Sequence, residues 1–123
     1  MNMEVNEWFD DVRKSRLVDV ADLSTWRNRC PPCSNVPAIA AMMVKDGLLT
    51  AWQAEKLIGG RWKGFFVDQY CIRSNLGLDN AGRLLVFEAM DMQDREIVVL
   101  EVIPPNRERR KDGGLIYSVR KKK

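Results

Sequence analysis

Residues 65–105 of this 123-residue chain read FFVDQYCIRSNLGLDNAGRLLVFEAMDMQDREIVVLEVIPP. The stretch predicts three strands, with apolar positions around Tyr70 and Ile72, over residues 84–87 and over residues 97–103. Turn-forming residues separate the strands at 77–82 and 90–94, and Pro104 and Pro105 end the last strand because proline cannot donate a backbone hydrogen bond. We therefore expect an antiparallel meander, which is stable only if helices or a partner cover one of its faces.

The residues before this stretch predict four short helices. The first helix and its exit would carry one apolar face, made of Trp8, Phe9, Val12, Leu17 and Val18, and the second would span residues 22–29. The third has clear boundaries, because Asn35 can cap it, Pro37 lies in its first turn and Gly47 can take the left-handed conformation that closes a helix. The fourth starts at Thr50 and Gln53, a pair that fits a capping box. A helical module therefore precedes the strands.

The residues after the strands are polar and basic. A turn at 112–114 precedes a short apolar stretch, residues 115–119, which could form a fourth strand. The chain thus divides into a helical module (1–63), a β-meander (64–105) and a basic tail (106–123). The predicted fold class is α+β, with a small helical segment followed by a three- to four-stranded antiparallel sheet.

Composition excludes several classes of protein. The chain is 46% hydrophobic and 30% charged, which is typical of a globular domain and not of a disordered or fibrous chain. No apolar run approaches the roughly 20 residues that a membrane helix needs, and the acidic start does not resemble a signal peptide. We therefore expect a cytoplasmic protein without a membrane partner. Histidine is absent, which excludes Ser-His-Asp and Cys-His catalysis by this chain.

Three cysteines, an odd number, favour a reducing compartment. Cys30 and Cys33 flank two prolines in a C-x-x-C motif, a spacing found in redox disulfides and in zinc sites. A zinc site would need two more ligands, and only Cys71 and a carboxylate remain. The other interpretation is a proline-stiffened connection between two helices. We expect no metal.

The net charge of +3 comes from the tail, because residues 106–123 hold eight Lys or Arg side chains against Glu108 and Asp112. Such a segment can bind nucleic acid or an acidic surface through its charge. It lacks, however, the interleaved aromatic residues of a base-stacking platform. We therefore expect a solvated terminus and no nucleic-acid partner.

Residues 77–82 read GLDNAG and lie between two predicted strands. A glycine-rich loop in this position can hold nucleotide phosphates with its backbone amides. The same residues also describe an ordinary hairpin turn. The residues on either side of the loop bear on this choice.

The chain resembles the segment that leads into the catalytic domain of a class of large bacterial serine/threonine protein kinases. In that family a helical module with GLLT-x-x-QAE-x-L precedes G-x-GFF-x-x-x-Y, then a glycine-rich loop on two strands, then a third strand with V-A-x-K-V-x-P. Here residues 47–57 read GLLTAWQAEKL, residues 64–66 read GFF before Tyr70, and residues 98–104 read VVLEVIP. The resemblance extends over about residues 8–105 and implies part of a kinase N-lobe.

The resemblance assigns six positions to a nucleotide site: Gly77, Asp79, Gly82, Leu84, Val99 and Glu101. Gly77 and Gly82 match the first and third glycines of the family loop, but Asp79 replaces the second. Its side chain and negative charge would oppose a phosphate. Leu84 can stand in for the valine that lies over adenine.

The third strand departs further from the family. Glu101 stands where the family has the lysine that holds the α- and β-phosphates, so the charge at this contact is reversed. Val99 replaces the small alanine that makes room for adenine. On an alternating strand Glu101 shares a face with Val99, so we expect its carboxylate to face solvent, a partner or an arginine such as Arg73 or Arg83.

The catalytic loop and the magnesium-binding D-F-G lie far downstream in a kinase and do not occur in this chain. We therefore expect no enzymatic activity and neither ATP nor magnesium as a cofactor. The first hypothesis is an inactive interaction or regulatory module that binds a protein, either a related kinase or a second copy. The alternatives are a weak ATP-binding module and a truncated relic without a dedicated activity. Four aromatic residues are expected to act as core or docking anchors: Trp52, Trp62, Phe65 and Phe66.

Overall fold

A computed structural model describes residues 4–29 and 35–121. The chain divides into two compact units at the boundary between Phe65 and Phe66. The first is helical and the second is an antiparallel sheet, so the predicted α+β class is confirmed. None of the described helices is both long and apolar enough to span a membrane. The C-x-x-C motif of Cys30 and Cys33 lies outside the described residues.

The described part of the helical unit contains α1 (Val5–Ser15), α2 (Val20–Arg29), α3 (Val36–Lys45) and α4 (Ala51–Ile58). The predicted caps are confirmed. The Asn35 side chain accepts a hydrogen bond from the Ala38 amide at 2.9 Å, and Gly47 has a φ of +80° after the end of α3. Thr50 and Gln53 form the full capping box, because each side chain accepts a hydrogen bond from the other residue's backbone amide.

Apolar side chains from these helices form one core. It includes Trp8, Phe9, Val12, Ile39, Met43, Leu57 and Phe65, all buried. Their spacing of three or four residues on α1 places them on one helix face. Burying each large side chain stabilises the unit by about 1.5–3 kcal/mol. Trp52 and Trp62 pack half-buried against this core, whereas Phe66 is exposed on the first strand and is not a core residue.

The sheet contains β1 (Phe66–Val67), β2 (Tyr70–Leu78), β3 (Leu85–Asp91), β4 (Ile97–Val102) and β5 (Tyr117–Lys121). The strands follow one another in chain order and every neighbouring pair is antiparallel. The expectation of three or four strands was therefore wrong by at least one strand. β1 has only two residues, too few for an alternating pattern. The strand predicted at 115–119 lies two residues later, and β3 continues past residue 87 into the predicted turn at 90–94, as far as Asp91.

One face of the sheet is buried. Ile72, Ala89 and Val98 lie opposite one another across three strands, and Leu100 and Val102 continue the same face of β4. Their side chains share a face because opposite residues in antiparallel strands point in the same direction. This face holds most of the buried apolar side chains of the sheet unit, and Val86 and Val99 are buried on the opposite face.

The sheet is curled, so its first hairpin lies near its last strand. The Tyr117 hydroxyl donates a hydrogen bond to Asp68 at 2.6 Å, and the Arg110 guanidinium contacts the two Asp68 oxygens at 3.2 and 3.4 Å. The rings of Tyr70 and Tyr117 meet edge to face, with centroids 5.7 Å apart. We call Asp68, Arg110 and Tyr117 the closing cluster, because they join the β1–β2 turn to the segment that ends in β5.

The closing cluster shifts the acidity of its members. The hydrogen bond from Tyr117, followed by that from Arg110, lowers the pKa of Asp68. Burial, and then the bond to Asp68, raises the pKa of Tyr117 to about 12. The carboxylate and the neutral phenol are therefore the forms that the folded sheet stabilises.

Candidate functional site

The predicted glycine-rich loop lies at the turn between β2 and β3. Gly77 belongs to the end of β2, and the Asp79 amide donates to the Leu84 carbonyl at 3.0 Å. The Gly82 amide then donates to the Asp79 carbonyl at 2.9 Å, which forms a tight turn inside the loop. Gly82 has a φ of +68°, a left-handed conformation that costs a glycine little. The loop is therefore closed by its own backbone.

The Asp79 carboxylate occupies the inside of this loop. Its Oδ1 atom accepts hydrogen bonds from the Arg83 amide at 2.7 Å and from the Leu84 amide at 2.9 Å. The bond from Leu84, followed by that from Arg83, lowers the pKa of Asp79. The loop thus stabilises a negative charge that belongs to the chain itself.

This arrangement bears directly on phosphate binding. A phosphate-binding loop presents backbone N–H groups that point at the ligand. Here the two amides that follow Gly82, those of Arg83 and Leu84, already donate to Asp79, and the carboxylate adds repulsion toward any incoming phosphate. These residues do not fit the phosphates of a nucleotide.

Three of the predicted positions, Gly77, Val99 and Glu101, lie on the same face of the sheet. Gly77 pairs with Val86, which in turn pairs with Glu101, so Gly77 and Glu101 lie in one cross-strand row. Neighbouring strands are about 4.8 Å apart, which separates these two residues by roughly 10 Å. Val99 lies two residues from Glu101 on the same face and is buried. Leu84 lies just before β3, where its amide bonds to Asp79.

Glu101 has an arginine partner, but not one of the two expected. The Nε atom of Arg120 lies 3.3 Å from the Glu101 carboxylate, whose side chain is 27% exposed. Arg73 instead lies 3.8 Å from Glu88. Arg120 is a diagonal neighbour of Glu101, since β5 pairs Val99 with Arg120. The expected strand ended at residue 119, so this partner lay outside it.

No group of three or more potential metal-ligating side chains occurs within residues 4–29 and 35–121. Cys71, which was considered as a further zinc ligand, lies half-buried on β2. Its neighbours within those ranges therefore do not supply a ligand set.

Two sets of polar residues escaped the sequence analysis. One is the closing cluster, in which Arg110 and Tyr117 lie 42 and 49 residues after Asp68 in the sequence. The other is a pair of lysines, Lys14 and Lys63, that lie over the ring of Trp62. Only the lysine pair could have been indicated by the sequence, because Arg61 and Lys63 flank Trp62 directly.

Comparisons with protein-family models, curated protein sequences and solved structures found no match to this chain. The resemblance to kinases therefore depends on the quoted motifs alone.

Proposed function

We propose that this chain is a catalytically inactive interaction module, whose sheet resembles part of a kinase N-lobe and which binds a protein partner. The observation that carries the proposal is the occupation of the glycine-rich loop by the Asp79 carboxylate. A carboxylate that accepts the two amides at the end of the turn in this way has a structural role in the hairpin.

The charge of Glu101 supports the same proposal. The resemblance puts this carboxylate in the place of a phosphate-binding lysine, and Arg120 neutralises it from β5. A nucleotide at this face would meet Asp79 at the loop and Glu101 on β4. Both charges have the sign of the phosphates, so they disfavour the nucleotide-binding alternative.

Exposed leucines near the loop support a protein partner. Leu76 and Leu78, near the end of β2, are 51% and 60% exposed. The short β1 pairs only with Tyr70 and Cys71, so it does not extend along this end of β2. Burying two leucines against another protein would remove apolar surface from water. A second copy of this chain is the first partner to test, followed by a related kinase.

The nucleotide arm of the test is a calorimetric titration with ATP and ADP, each with and without magnesium, together with thermal shifts. We expect no saturable shift for the natural chain. The double variant Asp79→Gly/Glu101→Lys frees two amides and restores a cation, so it should gain ATP affinity. A matched control is Asp94→Gly/Glu96→Lys, which makes the same changes at the other hairpin. A saturable shift with the natural chain would favour the nucleotide-binding alternative and refute the proposal.

The partner arm is sedimentation velocity over a range of protein concentrations. If the partner is a second copy, the average mass should rise with concentration, and Leu76→Ser/Leu78→Ser should abolish the rise. Val119→Ser, at another exposed apolar residue of the sheet, serves as the control. A chain that stays monomeric throughout would exclude self-association and leave binding to a related kinase as the version to test.

A further inference from the structure

A cluster of cationic and aromatic side chains lies in the helical unit, whereas the residues of the proposed function belong to the sheet unit. The Nζ atom of Lys14, on α1, is 5.3 Å from the centroid of the Trp62 ring. The Nζ atom of Lys63, in the segment after α4, is 5.0 Å from the same ring. We call Lys14, Arg61, Trp62 and Lys63 the Trp62 cluster.

The positive charge of this cluster is only partly neutralised. Lys14 lies 3.1 Å from Asp10, a carboxylate that it shares with Arg13. Arg61 and Lys63 form no ion pair with any residue of the described part of the chain. The cluster therefore presents cations that a negatively charged ligand could pair with.

Trp62 is only partly buried. Its indole packs half-buried against the helical core, while Arg61 and Lys63 on either side of it are exposed. Gly60 and Gly64 extend this segment and have open space where a side chain would stand. A chain-like ligand could thus approach the backbone closely on both sides of the ring.

A second cation–aromatic pair occurs on α4. The Nζ atom of Lys56 is 5.8 Å from the ring of Trp52, one helical turn away. Glu55, the adjacent residue, lines a groove between α3 and α4 and so lies on a different side of the helix. Lysine side chains therefore lie over the rings of both Trp52 and Trp62.

The pattern favours one class of ligand. Proteins that bind single-stranded nucleic acid combine aromatic rings, on which bases stack, with cations that contact the phosphates. An acidic polypeptide would use the cations but would have no use for the ring. A membrane surface would require more exposed apolar side chains than the glycines and cations around Trp62 provide.

We propose that the Trp62 cluster binds single-stranded nucleic acid. The indole stacks on one base, and Lys14, Arg61 and Lys63 contact the adjacent phosphates. A lysine that a base displaces from the ring moves to a phosphate, so its charge stays paired. The expectation of no nucleic-acid partner came from the tail, which has the charge but not the rings.

The proposal can be tested by fluorescence anisotropy with a labelled oligothymidine at several salt concentrations. Binding should weaken with salt, and three phosphate contacts predict a slope of about −2 for log K against log salt. Trp62→Leu keeps the apolar packing but removes the stacking surface, and it should weaken binding about tenfold. Lys14→Gln/Lys63→Gln should reduce the magnitude of the slope by about 1.4.

The control is Lys45→Gln/Lys111→Gln, which removes the same charge at two exposed lysines that do not lie over a ring. It should leave the slope unchanged. Because Lys14 and Lys63 are surface residues, their double variant tests the site even if Trp62→Leu fails to fold.

Several outcomes would overturn the proposal. One is the absence of binding at low salt, and another is an equal loss in the two lysine double variants. Duplex DNA that binds as tightly as the single strand would show that no base stacks on Trp62. Polyglutamate that competes as well as the oligonucleotide, with Trp62→Leu unchanged, would identify an acidic polypeptide as the ligand.

Discussion

The helical unit and the sheet unit are stabilised in different ways. The helical unit buries a continuous apolar core, in which Trp8, Ile39, Met43 and Leu57 have no exposed surface. The sheet unit buries a smaller set of aliphatic side chains, and its turns are stabilised by hydrogen bonds from backbone amides to carboxylates. Asp91, Asp94 and Asp112 each accept a backbone amide hydrogen two residues further along the chain.

Because of this difference, the stabilities of the two units should respond to different kinds of change. Apolar burial does not depend on pH, so the helical unit should respond mainly to changes of volume in its core. The folded sheet lowers the pKa values of Asp68 and Asp79, so the sheet unit should lose stability as the pH falls and these two carboxylates become protonated. The two units also carry separate spectroscopic reporters, since all four tryptophans precede Phe66 and both tyrosines follow it.

The largest expected effect is that of Leu57→Ala in the helical core. Leu57 is fully buried on α4, so its truncation leaves a cavity and should lower the free energy of unfolding by about 2–5 kcal/mol. The measurement is denaturant unfolding followed by tryptophan fluorescence. Ile58→Ala, at the next position, is the control because Ile58 is 42% exposed. Equal losses for the two variants would contradict the location of this core.

A smaller effect tests whether polar contacts also matter in the helical unit. Thr50→Ala removes the hydroxyl that accepts the Gln53 amide at 3.1 Å, and it should cost about 0.5–2 kcal/mol. Thr25→Ala on the exposed face of α2 is the matched control and should be nearly neutral, since alanine favours helix. A Thr50→Ala variant as stable as the control would mean that the helical unit depends on its apolar core alone.

Local patterns predicted most of the fold. Caps such as Asn35 and Thr50 act within three residues, and the long strands carry apolar stretches bounded by turn residues, which can be found without any tertiary information. β1 could not be found, because two residues carry no period. The Glu101 partner could not be found either, because it depends on how β5 aligns with β4.

The candidate site was predicted in position but not in detail. The two glycines located the loop, and Asp79 was singled out as the residue that departs from the family pattern. From the sequence alone, the charge of Asp79 was considered only as a source of repulsion toward a phosphate. The amides that Asp79 accepts belong to residues four and five positions away, and only the folded turn brings them to it.

The smallest expected effect is at Tyr117 and concerns pH. In Tyr70→Phe, Tyr117 is the single tyrosine, and its phenol should ionise with a pKa of about 12, above the ordinary value of 10.0. The folded state holds this proton more tightly than the unfolded state. The contribution to stability is therefore complete below pH 10 and is lost as the pH rises toward about 12.

Two measurements check this prediction. Tyrosinate absorbance gives the pKa of Tyr117, and thermal unfolding followed by circular dichroism gives the loss of stability at high pH. Lysines also lose their charge in this range, so the comparison is made with Tyr70→Phe/Tyr117→Phe. That variant lacks the bond to Asp68 and should be less stable at neutral pH by at most about 1 kcal/mol. The difference in the free energy of unfolding between this variant and Tyr70→Phe should become smaller as the pH rises. A Tyr117 that ionises at its ordinary pKa would mean that the closing cluster does not hold the curled sheet together in solution.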